Sequence, residues 1–365
     1  MIKRAMTALL APLLLAAGGP PTVPHRITTM ATGLDHPWSV AFLPDGRVLV
    51  TERAGRLRVI SGGKLQAKPI AGVPAVYENG QGGLFDVLPH PDFATNRLLF
   101  LSYAAGTPKA NATRIARARL DGDSLTDVKV IFEVAPLKNT PAHYGGRMAW
   151  LRDGSLVMTT GDGFDYREAA QRKDGLIGKT IRIRPDGKIP SDNPFVGVKG
   201  ARPEIWSLGH RNPQGLAVDP ATGTLWQHEH GPQGGDEVNL IRRSANYGWP
   251  VATYGRDYSG AGISPFKTYK NMVDGVLTWT PSIAPSGLAV YRGAMFPEWQ
   301  GDLIVGALAH EHVRRVDLNG TKVVGQQRLF PDLTARIRDV RVAPDGAIWL
   351  TVDEDEGRVL RVTRK

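Results

Sequence analysis

The chain has 365 residues, a formal charge of +10 and no cysteine, which excludes disulfides, thiolate metal sites, iron–sulfur clusters and a cysteine nucleophile. Hydrophobic residues at 42% and charged residues at 22% are globular values and set aside both a disordered chain and a multispan membrane protein. The 42 glycines and 27 prolines are scattered without a period, as many tight turns between short strands require.

In chain order, Lys3 and Arg4 precede an apolar run from Ala5 to Ala17, followed by Gly18, Gly19 and Pro20. This is the layout of a secretory peptide over about residues 1–19. The run is shorter than the roughly 20 residues of a spanning helix, and no cysteine follows that could carry a lipid. A soluble exported monomer is expected, periplasmic in a Gram-negative cell and without stable membrane insertion. Loss of Lys3 and Arg4 leaves a charge of +8 with no basic run interleaved with aromatics. Nucleic acid is therefore not an expected partner, whereas a small anionic ligand is compatible with the excess.

From residue 38 one pattern recurs: an apolar strand, a Pro-Asp-Gly type turn and a second apolar strand. It occupies residues 38–53, 84–103, 147–162, 215–231, 287–308 and 338–354. The first and last Pro-Asp-Gly turns start at Pro44 and Pro344, a mean interval of 60 residues. That length holds four short strands and their loops, the spacing of propeller blades. The runs are rich in β-branched and aromatic residues and are ended by Gly or Pro. No helix of ordinary length can be placed after residue 30. The alternative, a sandwich with Asp-Gly hairpins, does not by itself call for six copies of one motif. The reading is all-β: a six-bladed β-propeller of four-stranded antiparallel blades, one domain over residues 24–365, with the last strand (358–363) closing the ring against N-terminal residues.

Loops at one end of a propeller channel converge on its axis, so functional residues should come from equivalent loops of different blades. The polar candidates are residues 78–83 with Gln81, 141–147 with His143, 209–215 with Arg211 and Asn212, 228–237, and 336–339 with Arg336 and Arg338. His143 suits acid–base work near neutral pH, but a structural histidine bonded to a turn carbonyl fits its residue type equally. Arg336 and Arg338 lie two apart, on one face of a strand. With Arg211 and Asn212 they make a donor set suited to a multiply anionic planar ligand, although singly each arginine reads as a surface ion-pair partner. His228 and His230 could form a metal pair or be strand-edge histidines, and no third ligand stands at a characteristic spacing. The carbonyls of Gly231 and Pro232, with the carboxylates of Asp236 and Glu237, suit calcium. Dinucleotide, Walker and Gly-x-Ser-x-Gly signatures are absent from the sequence.

The ordered set HPWSVAFLPDGRVLVTER, QGGLFDVLPHPDF, GRM behind His143, LGHRNPQGLAVDP, HEHGPQGGDEVN with NYGWP, and RIRDVRVAPDG resembles the soluble PQQ-dependent aldose and glucose sugar dehydrogenases. The resemblance covers essentially the whole mature chain, which in its compactness looks more like the aldose enzymes than the longer dimeric glucose enzymes. It implies a six-bladed propeller in which His143 takes the proton of the sugar C1 hydroxyl and hydride passes to the quinone. Gln81, Arg211, Asn212, Arg336 and Arg338 would hold PQQ, with Arg211 also facing the quinone oxygen and Tyr258 near the cofactor. Gly231 and Pro232 would offer carbonyls to the Ca2+ that PQQ chelates, and Glu237 and Tyr247 would belong to a separate structural calcium site. The implied product is an aldonolactone, with electrons leaving to an external acceptor such as a cytochrome, quinone or dye. One departure stands out: many members place a lysine in the loop where this chain has Leu308-Ala309-His310. A calcium-dependent lactonase and a non-catalytic binding propeller are the competing readings.

Overall fold

A computed structural model describes residues 23–365; the expected secretory peptide lies outside the described residues. Six separate sheets of four antiparallel strands follow one another along the chain. Their innermost strands are Pro37–Phe42, Leu84–Pro89, Gly145–Trp150, Pro213–Val218, Pro285–Val290 and Ile337–Val342. Each packs on the next and the last packs on the first, which makes the ring of a propeller. Every sequence repeat is the inner half of one blade; residues 38–53, for example, become the strands Pro37–Phe42 and Val48–Glu52.

The sixth blade takes its outer strand from the other end of the chain. His25–Leu34 pairs antiparallel with Gly357–Arg364, from His25 opposite Arg364 to Leu34 opposite Gly357. Helical structure among the described residues is limited to the turn Phe93–Asn96 and two short 3-10 segments.

The core is divided among the blades. One apolar cluster joins Leu49 and Leu57 of the first blade to Leu84 and Leu101 of the second, and another joins Ile115 to Met148 and Ile181. The series continues round to Val48 and Val50 packed against Trp349 and Val359. A blade is therefore apolar on both faces. Val48–Glu52 and Leu156–Thr160 are buried at every position, rather than alternating as a sheet with one wet face would. At the outer rim the constraint relaxes, and Ser124–Glu133 is mostly exposed or half-buried.

Candidate active site

All six inner strands slip register near their starts, between Pro37 and Ser39, Leu84 and Val87, Gly145 and Met148, Pro213 and Gly215, Pro285 and Leu288, and Ile337 and Asp339. A bulge re-aims the side chain beside it. Trp38, Phe85, Gln214 and Arg338, at these irregularities in four blades, line an axial cavity of about 250 Å³ together with Arg53, Gln81, Asn212, Arg336 and Asp353. We refer to this as the upper mouth.

Three guanidinium groups thus face one carboxylate. Arg338 Nη2 donates to Asp353 Oδ2 at 2.7 Å and Arg336 Nη2 stands 3.6 Å from the same oxygen. Burial opposes the charge of Asp353, but Arg338 and His36 outweigh it and hold the carboxyl well below its ordinary range. The Nε atoms of Arg338 and Arg53 are buried without a hydrogen-bond partner. An unsatisfied buried donor costs about 1–3 kcal/mol, a cost that an anionic ligand in this cavity would remove.

His143 sits beside this cavity in a strained segment. Its φ is +51°, and Gly145 and Gly146 follow at +67° and +99°, a backbone region that costs a non-glycine residue free energy and clusters at functional sites. The close approach of a neighbouring loop fixes the shape: a Cβ on Gly161 would lie 2.1 Å from the His143 carbonyl oxygen. The His143 N–H donates to Gln81 Oε1 at 2.8 Å. Its ring Nδ1 is 2.6 Å from Asp162 Oδ1, and the other carboxylate oxygen of Asp162 accepts from Trp249 Nε1 at 2.8 Å. A carboxylate can only accept, so Nδ1 carries the ring proton and Nε2 is the basic atom. Among the described residues Nε2 has no hydrogen-bond partner. Burial lowers the His143 pKa below 6.5, Arg211 and Lys138 reinforce this, and Asp162 opposes it. The ring is neutral at pH 7 and able to accept a proton.

Arg211 and Tyr258 face a second cavity, of about 260 Å³, which they line with Phe164, Asp165, Trp249 and Asp257. Arg211 Nη1 donates to the Gly231 carbonyl at 2.6 Å, and its guanidinium lies over the rings of Trp249 and Tyr258. Tyr258, 60% exposed, stacks on Phe164. Phe164 in turn meets the His143 ring edge-on at 5.2 Å. His143 lines neither cavity itself but contacts a lining residue of each, Gln81 on one side and Phe164 on the other.

The calcium candidates separate. Asp236 is committed to the fold, accepting from the backbone N–H groups of Gly231, Ile283 and Ala284 and from Ser282. Glu237 shares a small cavity with Glu229, Gly231 and Tyr247; burial and then the Glu229 charge raise its carboxyl well above 4.5. Asn239, whose Nδ2 donates to Glu229 Oε1, has its Oδ1 buried without a partner. A hard cation would satisfy that oxygen and favour the ionised glutamate. The Tyr247 hydroxyl donates to the Leu240 carbonyl, which leaves its backbone carbonyl as the donor available to a cation. Pro232 lines the second cavity beside Arg211. His228 is buried and His230, half-buried, lines the axial cavity; their Nε2 atoms lie 3.3 Å from the Gly287 carbonyl and 2.8 Å from the Pro285 carbonyl, and desolvation holds both pKa values down, that of His228 to about 3. They are neutral links to the next blade.

Asp162 and Trp249 were not singled out from the sequence. Asp162 ends the third repeat and there resembles a turn residue; its proximity to a positive-φ histidine appears only in three dimensions. Leu308 lines the axial cavity and its carbonyl accepts from Arg336 Nη1 at 3.3 Å, so the loop that departs from the family pattern does reach the site.

The model of the Glucose / Sorbosone dehydrogenase family matches residues 34–361. The aldose sugar dehydrogenase YliI of Escherichia coli K12 is 43% identical over 346 residues, 93% of this chain and 92% of that protein. A glucose dehydrogenase of known crystal structure superposes with a TM-score of 0.91 at 45% identity, covering 93% of this chain and 100% of the other. The PQQ-bound form of an aldose sugar dehydrogenase from Streptomyces coelicolor superposes with a TM-score of 0.77 at 28% identity, over 95% of this chain and 100% of that one.

Proposed function

We propose that this chain, which belongs to the Glucose / Sorbosone dehydrogenase family, is a PQQ-dependent dehydrogenase that oxidises aldoses at C1 to aldonolactones. The observation that carries the reading is the upper mouth itself: guanidinium groups in excess of their carboxylate, with buried N–H donors left unsatisfied, next to a neutral histidine oriented by Asp162. A planar tricarboxylate fits that donor set. Gln81, Asn212, Arg336 and Arg338 would hold it from the axial cavity, and Arg211 and Tyr258 from the adjoining one. When bound, PQQ supplies a two-electron acceptor for the hydrogen leaving C1.

His143 Nε2 takes the proton of the C1 hydroxyl, and Asp162 steadies the imidazolium that results. Phe164 and Tyr258 offer aromatic faces to the sugar. Gly231 and Pro232 would contribute carbonyls to a Ca2+ beside the cofactor, which requires the Arg211 guanidinium to leave the Gly231 carbonyl; Glu237 and the Tyr247 carbonyl would serve a structural Ca2+. Electrons leave to an external acceptor, and residues 24–365 act as one exported catalytic domain after removal of the secretory peptide. A lactonase would need several side-chain oxygens converging on an axial cation. The axial cavity has one carboxylate, Asp353, already paired with Arg338.

The test is dye reduction by purified apoprotein. Aldoses should reduce the dye only after PQQ and Ca2+ are added, with a bound-quinone absorption appearing at the same time. Equal activity with NAD alone would overturn the reading.

A further inference from the structure

Lys138 is a buried cation that the proposed mechanism does not use. It is 6% exposed, and its Nζ donates to the Thr140 carbonyl at 2.5 Å and to Asn111 Oδ1 at 3.1 Å. The ammonium lies 3.4 Å from the centre of the Tyr144 ring. Among the described residues no carboxylate stands within ion-pair distance of it, which is unusual for a buried charge. Lys138 and His143 line one small cavity together with Asn111, Tyr144 and Gly161. Lys138 and Asn111 exchange backbone hydrogen bonds of 2.9 and 2.8 Å, fixing where the segment that carries His143 leaves the sheet. Thr140 Oγ1 donates to the carbonyl of Gly163, the residue after Asp162, at 2.5 Å. A Cβ on Gly163 would lie 2.8 Å from Lys138 Cδ, so the lysine stem packs against the Asp162 loop while its head ties down the His143 segment.

We propose that Lys138 is a positioning residue that presets His143 as a neutral base: its ammonium balances the charge of Asp162 and disfavours a second cation on the ring, and its hydrogen bonds fix the segment's path. This rests on the reading of His143 as the base. The groups facing the ring are Asp162 from the loop after Leu156–Thr160, Arg211 from the next blade and the Phe164 edge, with Gln81 on the backbone N–H; those facing Lys138 are Asn111 and Tyr144, with Tyr77 beside Tyr144 and the Tyr166 hydroxyl bonded at Asn139. Burial draws Lys138 down to about 7 and Asp162 acts in the opposite direction, so the ammonium is the prevailing form in the acid range in which His143, lowered from 6.5, protonates. In that range it opposes imidazolium formation and keeps the base active at lower pH than Asp162 alone would permit.

The experiment is a heteronuclear NMR titration of the His143 ring in apoprotein, with the resonance assigned by its loss in His143→Ala, alongside the pH profile of kcat/KM in the PQQ-loaded protein. In Lys138→Met the ring pKa should rise by about half a unit or more, the acid limb should move with it, and Lys138→Arg should restore both toward wild type. A purely structural lysine would lower activity equally at all pH values and leave the ring pKa where it was. Should Lys138→Met fail to fold, Asn111→Asp places a carboxylate on the ammonium and should move the ring pKa in the same direction. An unshifted ring in either folded variant overturns the proposal. A shifted ring combined with turnover that survives His143→Ala sustains the effect of Lys138 and removes the base assignment instead.

Discussion

The two ends of the central channel are built from the same six strands and spend arginine differently. At the upper mouth, where the strands begin, three guanidinium groups line a cavity with one carboxylate, which only Arg336 and Arg338 approach, and two Nε atoms have no partner. At the opposite end, where the strands finish, a cavity of about 410 Å³ is lined largely by apolar groups such as Leu88, Trp150, Leu216, Val290 and Pro344. Between them lies a closed set of charges. Arg147 stands 2.8 Å from Asp339 and 3.9 Å from Asp86, and Arg341 reaches both carboxylates at 2.8 and 2.7 Å. Burial draws Arg147 down to about 10; it works against Arg341 too, but Asp339 and Asp86 outweigh it and raise that pKa. Arg338 and Arg341 are three residues apart on one strand. The difference between them is one of balance: the middle layer matches two arginines with two carboxylates, whereas the upper mouth has arginine in excess.

That contrast breaks most sharply at His143. His143→Ala should lower kcat by about 10² to 10⁴, while PQQ binding stays near wild type. Because burial holds the ring below 6.5, wild-type kcat/KM should rise with pH with a midpoint below that value. Turnover within a few-fold of wild type would remove the functional half of the comparison.

The middle layer should fail in stability. Asp339→Asn leaves Arg147 short of a partner in a buried set and should cost about 3–5 kcal/mol in urea unfolding. Burial acts to raise the Asp339 carboxyl, but Arg147 and Arg341 hold it below 3.8. Its stabilisation is therefore full above that pH and fades as pH falls through the lower folded value. A near-neutral substitution would show that the layer is not what closes the channel.

Smaller effects sharpen the picture. If Ca2+ binds only the folded chain, a concentration a hundred times its dissociation constant should add about 2.7 kcal/mol, and a melting temperature indifferent to both chelator and Ca2+ would count against the Glu237 site. Arg338→Gln should weaken PQQ binding by about tenfold or more, the size of a charge-assisted contact, as read by titration of the quinone absorption. At the lower mouth Arg292 binds Asp219 at 2.7 Å and, against the effect of burial, holds its carboxyl down to about 2. The pair is partly wet, so Arg292→Gln should cost no more than about 1 kcal/mol and leave kcat unchanged. A large loss of activity there would mean that the lower mouth is functional as well.

The blades were legible because inner strands repeat both their apolar pattern and their Pro-Asp-Gly turns. Outer strands such as Ala110–Asp121 and Ser124–Glu133 carry no shared motif, since less of their surface is constrained by a neighbouring blade. Gln81, His143, Asn212, Arg336 and Arg338 stood out as polar residues in turn-rich loops, and the fold gathers them around one mouth. Arg147 and Asp339 lay in the same candidate loops yet belong to the closed layer, because a bulge and a partner on a distant blade decide which way each points. Asp162 and Lys138 were missed for the complementary reason. An aspartate after a strand and a lysine in a loop look solvated until the opposing loop is in place.

The seam between His25–Leu34 and Gly357–Arg364, where the Lys365 N–H also reaches the Pro24 carbonyl at 3.1 Å, makes folding order a matter of where translation begins. The strand that reaches the ribosome exit first is the one whose partner emerges last, so it must wait as an unpaired edge while five blades assemble. Deleting residues 357–365 would remove that partner and leave the ring without its latch. Joining the two ends with a short linker and opening the chain at the exposed Gly62-Gly63 turn would move the seam to the first blade and turn the present latch into a local hairpin. Such a circular permutant should reach the same ring by a different route, with its faster or slower closure reporting how much of the folding barrier the waiting strand imposes.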